Sequence, residues 1–264
     1  MAVMPMVPAM VMPTDGDLAR LRLLQLASPA LPIGGYTYSQ GVEWAVDAGW
    51  IRDAGDLERW LDDQLHQSML SVDLPLLLRM IAAIRGRDPL VLEHWIDCLL
   101  AWRETAELRA EESHRGRALA DLLAALGVVQ RPGAANQRGA AAASPGIASD
   151  ATQANGLGHE WYPLLVRSQS ASFAAAAVSW AIDPQDACLG LAWSWCENLV
   201  SAGVKLVPLG QTDGQWVLLR LAERIPLVVA TAQGLDDDAL GASSPALAIS
   251  SSGHETQYTR LFRS

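Results

Sequence analysis

Apolar residues recur along this chain at steps of three and four, and at no useful length do they alternate with polar ones. Leu57, Trp60, Leu61, Leu65 and Met69 mark one face of a helix. Leu76, Leu77, Met80, Ile81 and Ile84 repeat the pattern, as do Leu92, Trp95, Ile96, Leu99 and Trp102. A half-buried strand needs a period of two, so the periodicity restricts the chain to an all-α fold, read here as a single-domain antiparallel helical bundle. The apolar residues are mainly Leu, Ala, Val and Trp, and Leu and Ala lose little freedom in a helix. A length of 264 residues supplies one large core.

Punctuation sets the expected boundaries. Residues 1–17 read as a disordered leader, with three prolines among the first thirteen positions. A helix follows from Leu18 to Ser28 on a Leu18, Leu21, Leu24/Leu26 stripe and ends at Pro29 and Pro32. Ser39 is placed as the cap of a short helix ending at Gly49, and Asp56 as the cap of the next. Asp73 with Pro75 reads as a restart, and so does Asp88-Pro89. The helix from Asp88 is carried on through Trp102 and Leu108, its outer side laced by Arg103/Glu107 and Glu111/Arg115. Residues 130–158, rich in Gly, Ala, Ser, Gln and Asn, read as a flexible insertion. Helices resume near Ser168 and at Asp183-Pro184. Thr212 or Asp213 caps another, and Pro226 restarts a last one within a domain spanning 18–235. Residues 236–264 form a C-terminal tail.

The net charge of −10 disfavours nucleic acid, whose binding needs Lys and Arg against phosphate, and it disfavours anionic membrane surfaces. No stretch reaches the roughly 20 uncharged apolar residues of a membrane span. Cys98, Cys188 and Cys196 are too few and too scattered for a disulfide framework, which suits a reducing cytoplasm. Cys98 and Cys196 sit in apolar runs and read as buried.

Catalytic patterns are sought and not met. Gly210 to Gln215 has the glycines of a phosphate loop and no Lys. His254-Glu255-Thr256-Gln257-Tyr258 has Tyr where a zincin needs its second His. His66, His94, His114 and His159 stand alone. Thr37-Tyr38-Ser39-Gln40-Gly41 lacks the first Gly of a nucleophile elbow. The expectation is a non-enzyme with no catalytic residue, no metal site and no cofactor of its own.

Three separated blocks carry a resemblance. They are Leu24 to Glu43 (LQLASPALPIGGYTYSQGVE), Glu197 to Gln215 (ENLVSAGVKLVPLGQTDGQ), and the end of the chain from Ser250 through Glu255-Thr256-Gln257-Tyr258-Thr259-Arg260-Leu261-Phe262. Together they resemble the urease accessory protein UreF family. Arg103-Glu104 and Glu107-Leu108-Arg109 are similar to that family's central helix. The resemblance implies a cytoplasmic, homodimeric, all-α protein that bridges UreD (also called UreH) and the GTPase UreG on apo-urease. It implies a metallocentre-assembly chaperone, with nickel handled by the complex rather than held by this chain. The alternative it leaves open is a regulator of UreG GTP hydrolysis.

The candidate partner-binding residues fall in the same blocks. Tyr36, Tyr38 and Glu43 flank a glycine hinge, where the tyrosines either cap the core edge or form an interaction ridge. Lys205 either complements a helix C-terminus or faces the GTPase or urease. Pro208, Leu209, Gly210 and Gln211 make a turn that doubles as a contact surface. Glu255, Tyr258, Arg260, Leu261 and Phe262 read as a short amphipathic segment on a Gly/Ser/Ala tether. It either docks on its own domain or folds against UreD.

Overall fold

A computed structural model describes residues 14–133, 156–241 and 244–263. Among the described residues there are ten helices: α1 (Asp15–Ala27), α2 (Val42–Asp47), α3 (Ala54–Arg85), α4 (Pro89–Trp102), α5 (Ala106–Ala125), α6 (Tyr162–Leu165), α7 (Gln169–Ser179), α8 (Pro184–Leu206), α9 (Gln211–Gln233) and α10 (Pro245–Glu255). Among the described residues the extended pairing is one isolated bridge, Val129 to Leu157. The all-α expectation holds.

Helix α7 sits at the centre. Ala171 and Phe173 to Ala177 are all buried, so the helix is enclosed on every side. The second half of α3 and the length of α5 pack on it, and α8 and α9 pair beside them. Small residues set how closely these rods approach. A Cβ on Gly116 of α5 would lie 2.6 Å from the Ser168 carbonyl carbon.

Several expected boundaries change. The helix expected to restart at Asp73 does not, because α3 runs unbroken through a π-helical stretch, Leu65–Asp73. Leu74 N–H bonds back to Met69 C=O, five residues earlier, so the ladder is wide where Pro75 enters. Pro75 brings no N–H for the Ser71 carbonyl, and Gly241 N–H takes that carbonyl at 2.9 Å. The joined helix is long and apolar enough to cross a membrane by length and composition. Its most apolar window is 61% buried inside the fold, as a core helix is. Pro226 likewise lies inside α9 and restarts nothing.

The helix from Asp88 ends at Trp102, and Thr105 caps a new one by accepting Leu108 N–H. Arg103 therefore turns inward and does not meet Glu107. Its guanidinium donates to Asp73 and, at 3.0 Å, to Glu112. The Glu111/Arg115 pair forms at 2.7 Å but is buried. Asp53, not Asp56, caps α3, while Asp56 at the third position pairs with Arg52 and Arg59. Gly41 caps α2, and Ser39 Oγ accepts Glu43 N–H from two residues further out. Neither Thr212 nor Asp213 caps α9. Gly210 does, with Asp213 reaching back to its N–H.

At the N-terminal end Thr14 and Asp17 form a capping box, so the expected leader gives way to helix by Asp15. On α1 it is Leu26 that is buried, while Leu18, Leu21 and Leu24 point outward. The expected insertion is pinned at both ends, where Leu157 N–H bonds Val128 C=O and Gln130 N–H bonds Leu157 C=O. Its residues 134–155, like residues 1–13 of the leader, lie outside the described residues. Cys188 and Cys196 are buried; Cys98, expected buried, is half-exposed.

Candidate functional site

The three resembling blocks converge on one face. Gly34 and Gly41 both adopt left-handed backbone, at φ 73° and 80°. Gly41 is doubly constrained, because a Cβ there would overlap the Ser250 hydroxyl of α10. The loop between them brings Tyr36 and Tyr38 to the end of α8 and aims Glu43 inward from the first turn of α2. Asn198 of α8 holds the loop by donating to Gly35 C=O at 2.7 Å.

Glu43 is nearly fully buried and is the anchor of the C-terminal segment. Its carboxylate accepts Leu261 N–H at 2.6 Å and Phe262 N–H at 2.8 Å. His254 joins the same carboxylate at 3.2 Å through Nε2 and meets Glu107 at 2.7 Å through Nδ1. Arg260 pairs with the other Glu107 oxygen at 2.7 Å. Glu255 accepts from the Ala106 and Glu107 N–H groups at 2.8 and 3.2 Å, a carboxylate placed at the positive end of α5. Arg263 N–H closes the strap on Thr37 C=O at 2.7 Å.

Lys205 stands over this junction. Its Nζ lies 5.7 Å from the Tyr36 ring and 5.8 Å from the Phe262 ring, within cation–π range of both. Tyr38 is buried, with its hydroxyl 3.2 Å from His114 Nδ1. Burial, reinforced by Glu197, pushes the Tyr36 phenol up, so it stays neutral.

Below the junction lies a buried ionic group. Burial works against the Arg103 guanidinium, but Asp73 and Glu112 outweigh it and hold the charge firmly. Glu112 shows the same balance. Desolvation pushes it up, while Arg103, Ser170 N–H and the Ser168 hydroxyl together hold it below the usual glutamate value.

The structure thus gathers Tyr36, Glu43, Lys205, Arg260, Leu261 and Phe262 into one assembly, with Glu255 and Tyr38 supporting it. Pro208, Gly210 and Gln211 lie exposed on the α8–α9 turn, with Leu209 partly covered. Tyr258 projects fully into solvent and Leu261 mostly so, whereas Phe262 is buried. Of the two readings of the amphipathic segment, the structure has it lying on its own domain, without the expected tether. Residues 245–255 are the helical part, and residues beyond Glu255 run as irregular backbone laid on the domain. His254 and Glu107 were missed as partners. A His on a Ser-rich stretch, next to a glutamate that caps a distant helix, leaves no periodic trace.

Comparison with known proteins gives one result. The UreF family profile matches residues 51–222. A protein of Alcanivorax borkumensis named Urease accessory protein UreF is 46% identical over 246 residues, 93% of this chain and 98% of its own length. One of the same name from Pseudomonas putida is 46% identical over 250 residues, 95% of this chain and all of its own. Another, from Alkalilimnicola ehrlichii, is 41% identical over 251 residues, covering 95% and 98% of the two chains.

Proposed function

Because the chain belongs to the UreF family of urease accessory proteins, we propose that it serves urease maturation as a non-catalytic cytoplasmic adaptor. In this reading it bridges UreD (UreH) and the GTPase UreG on apo-urease, as a homodimer, while nickel passes through the assembly. The supporting observation is the strapped C-terminal segment. Carboxylates and peptide N–H groups hold its backbone to the domain, so the side chains of Tyr258 and Leu261 are left outward. An exposed aromatic three residues from an exposed leucine on a held backbone offers a contact surface.

The second reading, control of UreG GTP hydrolysis, is favoured by Lys205. It is exposed, held between two rings, and three residues from the exposed Pro208-Leu209-Gly210-Gln211 turn. A cation placed so can act on a nucleotide-bound partner without joining this fold's core.

The first experiment measures nickel-dependent urease activity in cells carrying the urease operon with this gene deleted and then restored. Loss and recovery are expected; full activity without the gene would overturn the reading. Tyr258→Ala with Leu261→Ala then tests the strap by co-purification with UreD. This pair leaves Glu255 and Phe262 in place, so loss of UreD with unchanged helicity is expected. Lys205→Ala is expected to change GTP turnover by UreG if the second reading holds, and to leave it unchanged if bridging is the whole role.

A further inference from the structure

We propose that His94 and Cys98 on α4 form a two-point site for a borderline-soft divalent cation of the zinc, cobalt or nickel class, completed by water or by a partner's donor group. Four residues apart, the two side chains lie on one helix face, with Cys98 Sγ 3.7 Å from His94 Nε2. Metal–sulfur and metal–nitrogen bonds of about 2.3 and 2.0 Å, set at a tetrahedral angle, put the two donor atoms about 3.5 Å apart. The observed 3.7 Å is close to that spacing, so the pair needs little movement to share an ion in place of its hydrogen bond.

The surroundings leave room for an ion. The pair opens onto a cavity of about 300 Å³ walled by Ser71, Leu76, Trp95 and Asp237, with room for an ion and its remaining ligands. The His94 ring is set edge-on against Trp95 at 4.7 Å. Trp95 is itself covered by Arg79 at 5.6 Å, and Arg79 also pairs with Asp237 at 2.6 Å. Among the described residues the His94 ring makes no hydrogen bond except to Cys98. No group of three His, Cys, Asp or Glu placed to hold a metal occurs among them either. The site is thus an open one, unlike the four-ligand closed sites that fold small domains.

Cys98 is the thiol in reach. Cys188 and Cys196 are buried, whereas Cys98 is half-exposed. On binding, a metal–sulfur bond forms, the Cys98 S–H bond breaks, and its proton leaves to solvent.

The test uses the reduced, tag-free, metal-free full chain titrated with Co²⁺. Expected are one ion per chain and a sulfur-to-cobalt charge-transfer absorption, which Zn²⁺ added afterwards displaces. Cys98→Ser should abolish that absorption. His94→Gln should weaken binding by at least about tenfold, since losing a ligand costs no less than losing an outer-shell partner. His94 is exposed and Cys98 half-exposed, and Ser is nearly the size of Cys, so circular dichroism of both variants should match the parent. Absence of the band in the parent, its persistence in Cys98→Ser, or unchanged affinity in His94→Gln would each overturn the proposal. None of these outcomes depends on urease activity, so this inference and the adaptor reading stand or fall separately.

Discussion

Replacing Glu43 with Gln tests the strap at its anchor. Both carboxylate oxygens of Glu43 accept peptide N–H groups, from Leu261 and Phe262, and one also meets His254. A glutamine offers one oxygen and one NH₂, so one of the two N–H donors must then face another donor. A hydrogen bond to a charged group is worth about 1.5–3 kcal/mol, which converts to roughly ten- to hundredfold in a local opening equilibrium. Hydrogen exchange of the Leu261 and Phe262 amides should accelerate by that factor. The core amides of α7 should not change, because the hydrogen-bond partners of Glu43 are Ser39, His254, Leu261 and Phe262, all outside α7. The same variant should become cleavable between Thr256 and Arg263 by dilute protease. Unchanged exchange at Leu261 and Phe262 would refute the idea that this carboxylate holds the segment down.

Other outcomes follow from the buried polar groups and the close helix contacts. Arg103→Met leaves Asp73 and Glu112 facing each other without their cation, and should lower the unfolding free energy by about 3–5 kcal/mol in urea. Glu112 is held below its ordinary value of 4.5 in the fold, so its contribution is present above that pH and lost as the pH falls through the folded-state value. The urea midpoint should therefore decline on acidification below that point. Glu112→Gln should be less stable at neutral pH and show a shallower acid decline. Gly116→Ala drives a Cβ into the Ser168 backbone, which cannot swing away as a side chain would, and should cost about 1–3 kcal/mol by thermal unfolding.

Helices were legible in the sequence wherever one face alone is buried. The stripe Leu57, Trp60, Leu61, Leu65, Met69 is buried throughout, and helices start at Asp88, Ser168 and Asp183 as expected, each of these residues serving as the cap. Prolines misled, because Pro75 and Pro226 read as starts although each lies within a longer helix. At Pro75 a distant glycine N–H satisfies the released carbonyl, and no local pattern announces a partner more than 160 residues away. Arg103 was read as a surface charge because the break at Glu104-Thr105 contains neither Gly nor Pro. Of the candidate site, the resembling blocks supplied Tyr36, Glu43, Lys205 and the terminal residues. What joins them, His254 between two glutamates and Glu255 on the end of α5, depends on folding and not on spacing.

The π-helical stretch in α3 fixes where the chain tolerates a change of length. Upstream of it the helix packs on α8 and α9; downstream it packs chiefly on α4 and α7, and Leu57, Leu61, Leu76, Leu77 and Met80 are all buried. A π-helical turn carries about one residue more than an α-helical turn, so removing one residue between Leu65 and Asp73 would close the stretch to ordinary α-helix and leave the faces beyond it near their present directions. The same deletion elsewhere in α3 would turn everything beyond it by about 100°. That rotation would carry the downstream leucines off the core and Arg79 away from Asp237. The segment is a slack link in an otherwise rigid rod. Single-residue deletions should be accepted there and eliminated by selection on either side of it.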